Sequence, residues 1–342
     1  MKAACLAGIE KVTILERPAP EPGPGEVLVR VRTVGICGSD VHYFKSGRIG
    51  DQVIIPPFTI GHEAAGEVAK LGTGVTGLEA GQPVAIEPAI ACGQCEVCQR
   101  GRPNLCAGVR FLGTPPIEGA YREYLVMPAA NLFPLPKGLS LEEGALAEPL
   151  AVGLYAVNRA RISPGETVAV FGCGPIGLSL ILAARLAGAV VLAAEPLPAR
   201  RAFALGIGAD RVFDPQQTDP VAEIMKETGG RGVDAAFEAA GQPTALRQAI
   251  ETAALGGRVV MVGIPAEDDW QIPSHLARRK ELDLLNIRRS AFCAEKIIRL
   301  MESGRLKAAG LVTHRFRLEE LARGLKLVAG YGDGVIKAVI EI

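Results

Sequence analysis

The chain has 342 residues, more than one ordinary domain and fewer than three, and 49% of them are hydrophobic, so a large core can be buried. Lys plus Arg number 37 and Asp plus Glu number 37. That balance excludes the long-range attraction that draws basic proteins to nucleic acid or to an anionic bilayer, and neither is expected as a partner. The short basic groups Arg200-Arg201, Arg278-Arg279-Lys280 and Arg288-Arg289 read as solvated or interface positions.

The first residues hold no long apolar segment, so no secretory leader is expected. The first 150 positions are rich in Gly and Pro, with short valine-rich runs. Residues 27–32 and 66–68 read as strands, and Gly72, Gly74, Gly77 and Gly81 mark turns around 83–86. Short strands separated by turns suggest a closed or nearly closed β domain. Within it, Cys37 follows a strand end, and His62 and Glu63 sit in the segment Thr59-Ile60-Gly61-His62-Glu63. A thiolate, an imidazole and a carboxylate could share a metal if the fold brings Cys37 to the other two. Zinc there would polarise an alcohol oxygen and lower its pKa, so that a hydride can leave the adjacent carbon for a nicotinamide. Ser39 and His42 could carry the proton away. Tyr43 could bond a polar substrate, and Glu148 falls at the expected domain border.

Cys92, Cys95, Cys98 and Cys106 form a C-x2-C-x2-C-x7-C set. Such spacing lets four thiolates converge on one tetrahedral ion, with no position left open for chemistry. Structural zinc is the reading, and an iron–sulfur cluster is the rival.

Near residue 150 the pattern changes. Strands at 167–171, 190–194, 233–239 and 258–262 alternate with helices at 176–187, 200–205, 221–228 and 244–254, as in a parallel sheet covered on both faces. The apolar stretch 176–194 is broken by Arg185 and Gly188, so it reads as a helix and a strand rather than a membrane span. Gly172-Cys173-Gly174-Pro175-Ile176-Gly177 follows the first of these strands and opens a helix. Gly172 permits the tight turn, Gly174 the approach of a pyrophosphate, and Gly177 close helix–strand packing. Pro175 suits the first helical turn. Glu195, at the end of the second strand, can accept from ribose hydroxyls and repel a 2′-phosphate, which favours NAD over NADP. Arg200 and Arg201 argue the other way. Helices are expected at 293–303 and 318–328, and the apolar ending 334–342 needs a sheet, most naturally that of the first domain. The expected compartment is the cytoplasm, where eight cysteines serve as thiols or metal ligands rather than disulfides.

Several stretches together carry a family resemblance: 35–43, 47–51, 61–64, 143–150 and 172–177. Over essentially its whole length the chain resembles the zinc-dependent medium-chain dehydrogenases, and among them the polyol dehydrogenases of the sorbitol, xylitol and L-arabinitol type. The resemblance implies an α/β protein with a GroES-like β-rich catalytic domain at 1–151 and 288–342, a structural-zinc lobe at about 90–110, and an inserted Rossmann doubly wound domain at 152–287. It implies NAD and two zinc ions per chain, one catalytic and one structural. Cys37 and His62 would hold the catalytic zinc, Glu63 would complete the set, and Glu148 would bind zinc or its water. Tyr43, Phe111 and Arg288 would line the substrate cleft. Ser39 and His42 would serve the proton relay and the ribose side of NAD, with Gly172, Gly174, Pro175, Ile176, Gly177, Glu195 and Arg200 at the coenzyme. A homotetramer is implied too. Relatives acting on simple alcohols usually carry a third cysteine ligand, where this chain has glutamates. Two features depart from animal sorbitol dehydrogenases: all four lobe cysteines remain, and Arg289 replaces an aromatic residue. Dehydrogenation of L-threonine or of a diol such as 2,3-butanediol is the alternative activity. A non-catalytic NAD-sensing protein is the alternative from another class.

Overall fold

The computed structural model describes residues 1–267, 269–308 and 310–342. The chain divides into two compact units, Met1–Glu148 with Ala294–Ile342, and Pro149–Cys293.

The first unit is organised by one strand, Glu26–Gly35, whose valines at 27, 29, 31 and 34 are buried. Along one edge it pairs antiparallel with Glu63–Leu71. Its other edge is shared: Tyr124–Pro128 takes the first half, and the closing strand Lys337–Glu341 takes the end, with Val339 opposite Gly35 and Ile340 opposite Val34. The apolar C-terminal run therefore lies in the same sheet as the N-terminal part of the chain. The sheet continues through Pro83–Ile86 to Leu132–Pro134 on one side and through Val312–Arg317 on the other. Among the described residues its hydrogen-bonded path is open rather than a closed ring, because the two end strands pair only inward.

Three strand ends meet at the top of this sheet. Gly35 lies opposite Glu63, and Ile36 donates its N–H to the Ala338 carbonyl at 2.9 Å. A Cβ on Gly35 would collide with the Glu63 carboxylate, so glycine is what allows that side chain to lie across the neighbouring strand. The helix Gly38–Ser46 follows at once. Its start is held by Asp40, whose Oδ2 accepts the Cys37 N–H at 3.0 Å, and Gly47 closes it in the left-handed conformation. Sequence patterning did not mark this nine-residue helix, since its polar and apolar positions lack a clear period.

The second unit is a six-stranded parallel sheet. In sequence order its strands are Thr167–Phe171, Val190–Ala194, Arg211–Phe213, Val233–Glu238, Ala253–Met261 and Asp283–Asn286, and in space they run 3-2-1-4-5-6. This is the doubly wound order, with a switch point between the first and fourth strands. The helix Pro243–Thr252 ends two residues before the expected 254, because Ala253 and Ala254 already belong to the next strand. Lys280 stands at that helix end and donates to the carbonyls of Ile250, Glu251 and Ala253 at 3.2, 2.7 and 2.7 Å. A cation there satisfies carbonyls the helix leaves open. K280M should therefore lower unfolding free energy by about 1–3 kcal/mol in denaturant titration; a change below about 0.5 kcal/mol would mean that water replaces the ammonium without cost.

Candidate active site and metal centres

The donor atoms of Cys37, His62 and Glu63 lie within 4.8 Å of one another. Each is set by its backbone: Cys37 caps the helix Gly38–Ser46, and Glu63 begins its strand with His62 just before it. His62 and Glu63 are buried at 7% and 1% exposure. Burial and then the Glu63 carboxylate push the Cys37 thiol up to about 12, against the pull of Lys337. A thiolate at that position therefore needs a cation beside it, and a zinc ion supplies one. Glu148 is not part of the 4.8 Å cluster, but it feels the charges of His62, Glu63, Cys37 and Glu87. Burial is the main cause that raises its carboxyl to about 8.

Two buried groups that the sequence reading missed hold this cluster. Lys337 Nζ donates to both oxygens of Glu63, at 2.8 and 2.6 Å, and to the Ile36 carbonyl at 3.1 Å. Asp40 is 1% exposed. It accepts from the N–H groups of Cys37 and Gly61 at 3.0 and 3.2 Å and from the Tyr121 hydroxyl at 2.9 Å, and its Oδ1 stands 3.8 Å from His62 Nδ1. A carboxylate beside the second ring nitrogen orients a metal-binding histidine. The signals were present: a lysine inside an apolar closing strand, and an acid three residues after the cysteine.

Phe111 tilts its ring against His62, with centroids 5.2 Å apart. Ser39 hydrogen-bonds the Cys37 sulfur. His42 is half-buried, and desolvation lowers its pKa. Tyr43 is buried and its hydroxyl reaches Gln52 Oε1 at 3.4 Å. Arg288 belongs to the second unit, where it is exposed just past the strand Asp283–Asn286.

The lobe cysteines converge. The sulfur separations are 3.5 Å for Cys95–Cys98 and Cys92–Cys106, 3.9 Å for Cys95–Cys106 and 4.0 Å for Cys92–Cys98. All four are free thiols. Zinc–sulfur bonds of about 2.3 Å in a tetrahedron put neighbouring sulfurs about 3.8 Å apart. The set fits one zinc; a multi-iron cluster would hold its thiolates further apart. The N–H groups of Gln94 and Cys95 lower the Cys92 thiol to about 6, which favours the thiolate a metal requires.

In the second unit Gly172 has φ 96°, and a Cβ on Gly177 would collide with the Gly172 carbonyl. Gly174 precedes the helix Pro175–Leu186, with Pro175 and Ile176 in its first turn. Glu195 is 3% exposed and already accepts from the Cys173 N–H at 2.6 Å and the Leu197 N–H at 2.9 Å. Arg201 is tied to Asp214 at 2.9 Å and to the carbonyls of Glu195 and Pro196. Arg200 is buried, with a guanidinium nitrogen 3.5 Å from where a Gly174 Cβ would stand. It therefore lies at the glycine loop.

Residues 23–137 match the alcohol dehydrogenase GroES-like domain and residues 175–303 the zinc-binding dehydrogenase domain. The chain belongs to the zinc-dependent medium-chain dehydrogenases. The chain is 38% identical to a sorbitol dehydrogenase of Bacillus subtilis, covering 99% of this chain and 97% of that protein. Identity to D-xylulose reductase A of Aspergillus niger is 37%, over 98% and 96%. The structure of 2R,3R-butanediol dehydrogenase from Bacillus subtilis superposes with a TM-score of 0.90 at 36% identity, over 100% and 99%. This dehydrogenase is accordingly an NAD-linked oxidoreductase acting on CH–OH groups.

Two predictions concern the metal centres. C98S should lower zinc content by one ion per chain in elemental analysis, because three thiolates no longer close the lobe; unchanged zinc would contradict the lobe assignment. K337M in the dehydrogenase leaves the buried Glu63 carboxylate unpaired. It should destabilise the metal-free protein by about 3–5 kcal/mol in denaturant titration, and less when zinc is added, because the ion supplies a countercharge. A loss under about 1 kcal/mol would mean that the Lys337–Glu63 pair does not hold the closing strand in place.

Proposed function

We propose that this dehydrogenase reversibly oxidises a secondary hydroxyl of a sorbitol- or xylitol-like polyol to the ketose. The carrying observation is the donor set, with one thiolate at Cys37, an imidazole at His62 and carboxylates at Glu63 and Glu148, next to the identity shared with a sorbitol dehydrogenase. Zinc bound there supplies a Lewis acid that lowers the pKa of a hydroxyl oxygen. Cys37 and His62 would hold the ion, with Asp40 orienting the imidazole, and Glu63, paired with Lys337, and Glu148 would be the carboxylates available to the ion or its water. The Ser39 hydroxyl receives the substrate proton and His42, kept neutral by desolvation, accepts it onward. Phe111 packs the imidazole and excludes water from it. Tyr43 bonds a further hydroxyl of the substrate, which is why an extended polyol is preferred over ethanol.

Gly172, Gly174, Pro175, Ile176 and Gly177 cradle the coenzyme pyrophosphate, with Arg200 beside Gly174. Glu195 meets the adenosine ribose, and its buried charge disfavours a 2′-phosphate. A second zinc in the Cys92–Cys106 lobe is structural. The same reading includes a cytoplasmic homotetramer. Cysteines without a disulfide among the described residues suit a reducing compartment, and the edge strand Asp283–Asn286, with Leu284 exposed, suits self-association. No helix among the described residues is long and apolar enough to cross a membrane.

A diol such as 2,3-butanediol is the second reading, favoured by the 36% identical butanediol dehydrogenase. Steady-state kinetics with sorbitol, xylitol, 2,3-butanediol, L-threonine and ethanol separates these. A polyol should exceed ethanol in kcat/KM by at least about tenfold, and NAD should exceed NADP by a similar factor. Ethanol or L-threonine as the best substrate would overturn the polyol reading, butanediol would select the second one, and NADP equal to NAD would overturn the role of Glu195.

A further inference from the structure

Glu238 is the last residue of the strand Val233–Glu238, and it pairs in register with Phe171, the residue before the glycine loop. These are the first and fourth strands of the sheet, so Glu238 stands at the switch point where a dinucleotide crosses in doubly wound folds. Its side chain is 0% exposed. Instead of pointing outward, it folds back under its own turn. Oε1 accepts three successive backbone N–H groups, from Ala240 at 2.8 Å, Gly241 at 2.7 Å and Gln242 at 3.3 Å. Oε2 is buried against the backbone of Gly263.

The turn so held has two consequences. It opens the helix Pro243–Thr252, whose N-cap is Gln242. Two helix N-termini therefore face the switch point, that of Pro175–Leu186 and that of Pro243–Thr252, and either could attract an anion. In the second, the protein's own carboxylate already takes the N–H groups. The turn is also pressed against the glycine loop. The Ala239 N–H donates to the Phe171 carbonyl at 2.9 Å, and a Cβ on Gly172 would come within 3.0 Å of Ala240. From behind, Gly263 leaves room for the carboxylate: a Cβ there would lie 2.6 Å from Oε2 and would collide with the Gly241 nitrogen. Burial raises the carboxyl pKa, and the turn N–H groups oppose that.

We propose that Glu238 is a coenzyme-positioning residue: as an internal hydrogen-bond acceptor it fixes the 239–242 turn against Gly172 and leaves the helix behind the glycine loop to take the pyrophosphate. A Gln at this position keeps the accepting oxygen, whereas a Leu keeps only the bulk. The role does not depend on which alcohol is oxidised, but it rests on the nicotinamide coenzyme reading. NADH binding by the unmodified protein, measured in the same fluorescence titration, tests that reading separately.

The experiment compares NADH Kd, kcat at saturating coenzyme and the thermal midpoint for E238Q, E238L and G263A. E238L should weaken NADH about tenfold or more while kcat at saturation stays within about threefold, and E238Q should restore Kd to within about threefold of the parent. G263A keeps the carboxylate but displaces the turn, and should weaken NADH in the same direction. A merely structural glutamate would lower the thermal midpoint without this split between Kd and kcat. The proposal is overturned if a folded E238L binds NADH as the parent does, or if E238Q is as weak as E238L. Should E238L fail to fold, a folded G263A with the parent Kd overturns it.

Discussion

A buried ion pair joins the ends of the chain. Lys337 and Glu63 have side chains 2% and 1% exposed, and the ammonium lies 2.6 Å from the nearer carboxylate oxygen. Moving both charges out of water costs several kcal/mol, and their attraction offsets this only with good geometry and further hydrogen bonds. Both are present: the carboxylate is bonded through both oxygens, and the ammonium also reaches the Ile36 carbonyl. The pair requires the closing strand to lie beside Glu26–Gly35, whose other edge pairs with Glu63–Leu71 and so brings Cys37 near Glu63. It also leaves the acid poised between two cations, the lysine and the metal that Cys37 and His62 can bind. The catalytic unit thus depends for its site on a contact 274 residues apart in sequence.

The two units use buried carboxylates in related ways. In the first, Asp40 takes the N–H groups of Cys37 and Gly61 and stands beside His62, so the chain path and the imidazole are set by one side chain. In the second, Glu195 and Glu238 each fold back onto backbone N–H groups near the glycine loop. Such carboxylates are costly unless bonded, and the N–H groups they take are donors that would otherwise be left open. Glu195 is consequently a fixed, already bonded carboxyl group rather than a mobile one.

Much of this was legible in the chain. The alternation of strands and helices from Thr167 onward is written in apolar runs and glycine turns, and the four strands so read form the middle of the 3-2-1-4-5-6 sheet, while the short strands Arg211–Phe213 and Asp283–Asn286, with charged residues among few apolar ones, went unread. The four lobe cysteines announce themselves by spacing, since nearby thiols need little help from the fold to converge. The apolar ending was readable as a strand of the first sheet because such a run cannot remain in water. What stayed hidden depends on distance or on conflicting signals. The helix Leu141–Arg159 begins with a Ser140–Glu143 capping box, yet Pro149 lies inside it and masks its length. That Cys37 would meet His62 and Glu63 came from family resemblance, not from spacing. Lys337 and Asp40 look like ordinary charged residues until tertiary structure buries them.

The mixed site of the first unit is expected to bind zinc through a single thiolate, with nitrogen and oxygen completing the shell. Zinc K-edge X-ray absorption on the C98S variant, in which the lobe ion is lost, isolates this site. The expected spectrum has one sulfur at about 2.3 Å and nitrogen or oxygen neighbours at about 2.0–2.2 Å. Two or more sulfurs around the remaining zinc, or no zinc remaining at all, would contradict the account.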